Sequence, residues 1–378
     1  MCADIKIKIG LNATCFNHRS SGAKQRFIGI YNKLFKLMPN STFIIYEPAN
    51  YSLANYFKGF ENILFKKTPI NSDSHLSKIL VGYFFWIKEF KKEKFDIFEF
   101  FNLPLYSSSK FKSLMTIHDI RGAYSEYSFL GKLIYKSILR YAIKNSNQII
   151  TVSEFMKNDI LKLHKNVDIK VIYNGISLEN FKTLSKDDEE KIIKKIKIPE
   201  NFILSVGHYE KRKNFLKLID AFYKLYHDQK DLKLILVGNE SDDKKKIINK
   251  INQLDLEKSV YLLEGLSDAE VKIIYRKAKL FVFPSLYEGF GIPILEAMIS
   301  GCPIVLSNID VFREITQNNY PYFDPLDSDS ILKYIKKYLD NSKERNNLIN
   351  YGLNRVLDFE FIKIAMKVKS LYISLLNK

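Results

Sequence analysis

The sequence predicts an α/β protein built from two doubly wound domains that face a cleft. Three observations point there. The 378 residues, 46% of them hydrophobic, suffice for two cores at roughly 150 residues per domain. Short β-branched or aliphatic runs alternate with helical patterns along the whole chain, as expected of βαβ units around a parallel sheet covered on both faces. That alternation is interrupted once, from Ile176 to Glu200, by a charged stretch that follows the Asn174-Gly175 turn and carries Pro199 before the next strand.

In the first series, strands are expected near Ile5–Leu11, Phe43–Tyr46, Ile97–Phe100, Ser113–Ile117, Gln148–Val152 and Lys170–Tyr173. In the second they are expected near Phe202–Val206, Lys233–Val237, Ser259–Leu262, Leu280–Pro284 and Pro303–Ser307. The resulting division is a first domain over 1–180, a linker over 181–200, a second domain over 201–355 and a closing helical segment over 356–378. Paired domains of this kind bind ligands at the carboxyl ends of their strands.

Lys and Arg number 59 against 42 Asp and Glu, a formal charge of +17 that favours anionic partners such as phosphorylated ligands or an acidic membrane. Cys2, Cys15 and Cys302 are odd in number and far apart, which excludes a disulfide framework and suits a reducing cytosol. No signal peptide is expected, and the apolar run Ile79–Ile87 falls well short of the roughly 20 residues of a spanning helix. A cytoplasmic protein, soluble or peripheral on the inner membrane face, is therefore expected. Nucleic-acid binding is not, because neither a recognisable module nor a row of stacking aromatics is present.

Neither half contains a G-x-G-x-x-G or Walker loop. The strand Phe202–Val206 instead runs into Gly207 and the basic loop Lys211-Arg212-Lys213-Asn214, which places two cations at a strand's carboxyl end before a helix, where they suit a diphosphate. In so lysine-rich a chain the pair equally suits a solvated face. More specific is the run from Phe283 to Met298. Its Gly289 and Gly291 admit close backbone approach, Pro293 suits a first helical turn and Gly301 a C-terminal cap. Glu288 and Glu296 in that run only accept hydrogen bonds when ionised, so they suit sugar hydroxyls better than phosphate.

Glu288 and Glu296, with seven residues between them, resemble the E-x7-E signature of retaining GT-B glycosyltransferases of family 4. Val206-Gly207 with Arg212-Lys213-Asn214, Asn174-Gly175-Ile176, Thr116-Ile117-His118-Asp119, Thr151-Val152-Ser153-Glu154 and Tyr322-Phe323-Asp324-Pro325 resemble further segments of that family, in order along the chain. The resemblance implies the GT-B fold, two Rossmann-like doubly wound domains facing a cleft. It implies that Arg212 and Lys213 bind the donor diphosphate, that Glu288 meets the donor sugar and Glu296 the ribose, and that Gly207, Gly289, Phe290 and Gly291 bring backbone near the donor. His118 would line the cleft from the first domain. Asp119 reads as a turn residue and Ser153 as a helix N-cap. The closing segment Phe359–Leu376 resembles the one that crosses back onto the first domain, with Phe359 where a tryptophan is common.

Where family members carry a glycine-rich loop after the first strand, this chain has one glycine, Gly22, opening a helix with Lys24 and Arg26 that suits an anion. Asp327-Ser328-Asp329 is read as a turn and helix cap rather than a D-x-D metal motif, so neither a metal nor another cofactor is expected. The aromatic and lysine interleaving from Tyr83 to Phe95 suits either core packing or an anionic membrane surface. The resemblance implies transfer of a sugar, with retention, from a nucleotide diphosphate sugar (GDP-mannose first, a UDP-sugar second) to a glycan or lipid-linked saccharide of the lipopolysaccharide or capsule kind. A front-face reaction and a covalent intermediate both stay open. The alternatives are a nucleotide-sugar epimerase of the same fold and a non-catalytic basic scaffold.

Overall fold

The computed structural model describes residues 6–19, 21–124, 128–179 and 186–377. The expectations for Cys2, for Ile5 at the start of the first strand and for linker residues 181–185 lie outside them. The chain divides into two compact units, one of residues 1–175 with 360–378 and the other of residues 176–359.

In the first unit the strands are β1 (Lys8–Asn12), β2 (Thr42–Glu47), β3 (Ile63–Lys67), β4 (Ile97–Phe100), β5 (Lys112–Ile117), β6 (Gln148–Thr151) and β7 (Ile169–Val171). They form one parallel sheet in the order β3-β2-β1-β4-β5-β6-β7. The helices are α1 (Gly22–Leu37), α2 (Gly82–Lys92), α3 (Phe129–Lys144) and α4 (Glu154–Leu163). Ser21 caps α1, Ser128 caps α3 and Ser153 caps α4, each by accepting a hydrogen bond from the amide three residues on. The sequence reading omitted β3, an edge strand whose Leu64 and Phe65 are exposed and which therefore lacks a buried strand's apolar pattern.

The last helix of the chain, over Phe361–Leu376, packs against α1 in this unit. The approach is close at Gly29, where a Cβ would stand 2.2 Å from the Phe361 ring. Beneath it lies Glu99 of β4, 1% exposed, with the hydroxyls of Tyr31 at 2.5 Å, Tyr372 at 2.6 Å and Thr116 at 2.9 Å. Burial raises the Glu99 carboxyl pKa, and those hydrogen bonds together with the Arg26 charge oppose the rise. On the opposite face Phe98 meets Trp86, Phe90 and Phe95 edge to face, as Phe90 meets Phe111.

The second unit carries β8 (Phe202–Val206), β9 (Lys233–Val237), β10 (Val260–Leu263), β11 (Leu280–Phe283), β12 (Ile304–Ser307) and β13 (Tyr322–Phe323) in the parallel order β10-β9-β8-β11-β12-β13. Its helices are α5 (Lys186–Ile196), α6 (Phe215–Tyr226), α7 (Lys244–Gln253), α8 (Asp268–Lys277), α9 (Ile292–Ile299), α10 (Asp310–Thr316), α11 (Ser328–Asp340) and α12 (Ser342–Arg355); the Phe361–Leu376 helix is α13. The segment read as linker thus contains α5, held to α8 by Lys195–Glu270 at 2.8 Å and Arg276–Glu189 at 2.5 Å. Asp327 caps α11 by accepting from the Asp329 amide at 2.9 Å, in keeping with the turn-and-cap reading of that acidic pair. In each sheet the order reverses beside the first strand, between β1 and β4 and between β8 and β11, which opens a crevice at the strands' carboxyl ends.

Tyr372→Phe deprives Glu99 and Tyr31 of a shared hydroxyl. It should lower stability by about 1–2 kcal/mol in urea unfolding, whereas Met366→Ala, exposed on the same helix, should leave it unchanged.

Candidate active site

The crevice between β8 and β11 holds the residues singled out in the second half of the sequence. After β8 the chain passes Gly207 and turns through a short 3-10 segment, Lys211–Lys213. The two cations therefore sit before α6 rather than on its first turn. The break is Asn214, left-handed at φ 57°, whose side-chain amide donates to the carbonyls of Pro284 at 3.1 Å and Pro325 at 2.7 Å. The Leu286 amide donates to the Arg212 carbonyl at 2.8 Å. These bonds tie the basic loop to the loop after β11.

Between the loops lies an ion triad. Lys213 Nζ stands 2.6 Å from Glu288 Oε1 and 4.9 Å from the centre of the Phe283 ring. Arg212 Nη1 reaches Glu288 Oε2 at 2.8 Å, and Ser285 Oγ donates to Oε1 at 2.9 Å. The Arg212 Nε also meets Glu210 at 2.6 Å. Burial opposes the charge on Glu288, but the Lys213 ammonium and the Arg212 guanidinium outweigh it and hold the carboxyl at about 2. The sequence-level assignment gives Glu288 to the donor sugar. Its carboxylate here binds both cations, so any sugar hydroxyl it accepts joins bonds already made.

Gly207 is required by this packing, since a Cβ on it would lie 2.8 Å from the Lys213 stem. Gly291, at φ 110°, precedes α9, with Pro293 in the first turn and Gly301, at φ 65°, just beyond the last. Gly289 lies on the same loop, and the Phe290 ring is buried against Phe359. Glu296, one turn into α9, accepts from the Tyr275 hydroxyl at 3.1 Å. Burial raises its carboxyl to about 7, against the Tyr275 hydrogen bond and with the help of Asp268. The two glutamates of one motif thus carry opposite shifts, the pattern by which a site divides roles between like groups.

In the first unit, His118 follows β5 with Nε2 buried and lacking a hydrogen-bond partner among the described residues. Burial, and then the Arg26 charge, lower its pKa to about 3, so the ring is neutral. Asp119 accepts from the Arg121 amide and pairs with its guanidinium at 3.1 Å, a turn role as expected. Gly22 opens α1, but Lys24 and Arg26 turn inward. Lys24 donates to the Asn17 carbonyl at 2.8 Å and Arg26 to the Ile172 carbonyl at 3.1 Å, so these cations already serve the fold. Sequence reasoning missed Ser285, Glu210 and Tyr275. Ser285 and Glu210 flank the motifs in sequence, whereas Tyr275 arrives on α8 with no local signal.

The family model described as Glycosyl transferases group 1 matches residues 187–355, and that described as Glycosyltransferase Family 4 matches residues 46–180. The chain belongs to glycosyltransferase family 4. This family 4 member is 35% identical over 241 residues to the O-antigen chain mannosyltransferase RfbU of Salmonella typhimurium, covering 62% of this chain and 64% of that protein, under two thirds of its length. It is 26% identical over 358 residues to the UDP-Gal:alpha-D-GlcNAc-diphosphoundecaprenol alpha-1,3-galactosyltransferase of Escherichia coli, covering 90% and 92%. Its fold matches sucrose-phosphate synthase from Thermosynechococcus elongatus with a TM-score of 0.79 at 17% identity, over 98% and 99% of the two chains.

Glu288→Gln leaves Lys213 buried beside a neutral partner and should cost about 3 kcal/mol in urea unfolding at neutral pH. Because folding depresses this carboxyl from 4.5 to about 2, its contribution is complete above the higher value and lost as pH falls through the lower one. The parent should therefore lose stability more steeply than Glu288→Gln on acidification.

Proposed function

We propose that this protein transfers a sugar from a nucleotide diphosphate sugar to a hydroxyl of a growing glycan, with retention and without a metal ion, in surface polysaccharide or lipopolysaccharide synthesis. The observation that carries the reading is the Arg212–Glu288–Lys213 triad at the crevice between β8 and β11. Two cations held by one carboxylate form a preorganised electrode for a leaving diphosphate, and preorganisation is what gives such charges their catalytic weight. Metal-free action is supported by these cations, which supply the charge a divalent ion would otherwise bring.

Glu296 accepts the ribose hydroxyls, while Gly207, Gly289, Phe290 and Gly291 form the backbone wall of the donor pocket. His118 of the first unit, neutral and with an Nε2 that lacks a partner among the described residues, is suited to hydrogen-bond a substrate hydroxyl. RfbU's description as a mannosyltransferase supports a mannosyl donor as first choice, and the UDP-Gal enzyme supports a UDP-sugar as second. Both descriptions favour a saccharide acceptor, either an O-antigen chain or a lipid-linked sugar. We place the enzyme on the cytoplasmic side of the membrane, a placement supported by the +17 charge and by the lipid-linked acceptor of the galactosyltransferase.

The test begins with thermal shifts against UDP-, GDP-, ADP- and CDP-sugars without added metal, since a ligand specific to the folded state raises its stability. One base should give a shift, lost in Arg212→Ala. No shift with any nucleotide at saturation would remove the donor reading. With the cognate pair, Arg212→Ala and Lys213→Ala should each lower kcat by about 100-fold or more, and Glu296→Ala should weaken nucleotide binding about tenfold. Product formed without an acceptor would favour the epimerase.

The Glu296 carboxyl ionises near 7, and only its ionised form accepts two hydroxyls through both oxygens. Nucleotide affinity should therefore increase as pH rises through about 7. Titration calorimetry across that range should lose this dependence in Glu296→Gln.

A further inference from the structure

We infer that the first unit docks on an anionic lipid bilayer through one face formed by α3 and the helical segment 77–92. This deepens the membrane placement proposed above, but it rests on surface chemistry and requires no catalysis.

The two segments are neighbours. Lys78, Ile79 and Tyr83 from one and Tyr135 and Ile138 from the other line a single cavity of about 190 Å³. On α3, Phe129 is 85% exposed, and Leu130, Leu133 and Ile134 are each more than half exposed. Lys132, Lys136, Arg140 and Lys144 follow at every fourth residue, and the helix contains no Asp or Glu. Positions four apart share a helix face, so this is a ridge of one charge sign alongside the apolar row.

The other segment repeats the chemistry. Ile79, Leu80, Tyr83 and Phe84 are exposed, while Trp86 and Phe90 turn into the core. The stripe continues through Lys88, Lys91 and Lys92. Its one acid, Glu89, is buried and ion-paired with Lys66. The aromatic and lysine interleaving of this segment therefore divides between its two faces, core on one side and surface on the other.

A face of exposed aliphatic and aromatic side chains edged by cations, with no carboxylate of either helix exposed upon it, fits a phospholipid surface. Apolar groups enter at the acyl boundary, the lysine and arginine stems lie along them, and the charged heads meet lipid phosphates. A protein interface would deplete lysine around its apolar centre. Among the described residues no helix is long and apolar enough to cross a membrane.

The chain is sedimented with phosphatidylcholine vesicles that contain or lack phosphatidylglycerol, at low and raised salt. We expect binding to the anionic vesicles alone, weakened by salt. It should fall at least tenfold in Leu130→Glu/Leu133→Glu and in Lys136→Glu/Arg140→Glu. Circular-dichroism melting should match the parent in both variants. The nucleotide thermal shift should also be retained, so failure of the donor reading and failure of docking register separately. Absence of vesicle binding by the folded parent, or equal binding to both vesicle types, would overturn the proposal. So would unaltered binding in the folded variants, or a parent dimer in sedimentation equilibrium that Leu130→Glu/Leu133→Glu dissociates without any vesicle binding, which would assign the face to a second copy of the chain.

Discussion

The buried bond between Lys213 and Glu288 is the constraint around which the second unit's site is arranged. Two opposite charges taken out of water are tolerable only with short contacts and further hydrogen bonds. The structure supplies both, with Arg212 on the second carboxylate oxygen, Ser285 on the first and the Phe283 ring beneath the ammonium. Each requirement propagates outward. The lysine stem needs the bare backbone of Gly207, and the loop that carries it needs Asn214 in a left-handed turn, bonded to two carbonyls on other loops.

The same arrangement divides the chemistry of the motif's two glutamates. Glu288 lies between cations and stays ionised well into acid, whereas Glu296, inside α9, accepts from the Tyr275 hydroxyl and its carboxyl rises to about 7. Burial pushes both in one direction, and neighbouring charge decides the outcome. The first unit uses burial differently. Glu99 gathers Tyr31, Tyr372 and Thr116 around one carboxylate and so fastens α13 to β4, across the 273 positions that separate Glu99 from Tyr372.

Much of the fold was legible because buried parallel strands leave near-continuous apolar runs. Ile97–Phe100, Phe202–Val206 and Lys233–Val237 have the same bounds in sequence and structure. The omissions, β3 and the two-residue β13, are edge strands, where one flank lacks a partner and the pattern weakens. Ser153 and Asp327 could be assigned as caps because a cap is a local event, settled within three residues. Lys24 and Arg26 could not be judged in this way. Their positions near a helix start suit an anion, but the carbonyls that engage them belong to Asn17 and, across 146 residues, Ile172.

By itself, the sequence determined the two doubly wound sheets, the caps and turns, the family, and the set of charged residues beside the second unit's crevice. These depend on periodicity and on short spacings, which a chain carries with it in any conformation. The tertiary structure decided how those charges are used. It joined Glu288 to two cations 75 and 76 residues earlier in the chain, brought Tyr275 to Glu296, and separated the core face of residues 77–92 from the face that remains exposed beside α3. Electrostatic interaction depends on distance and on access to water, and neither exists for residues remote in sequence until the sheet brings them together.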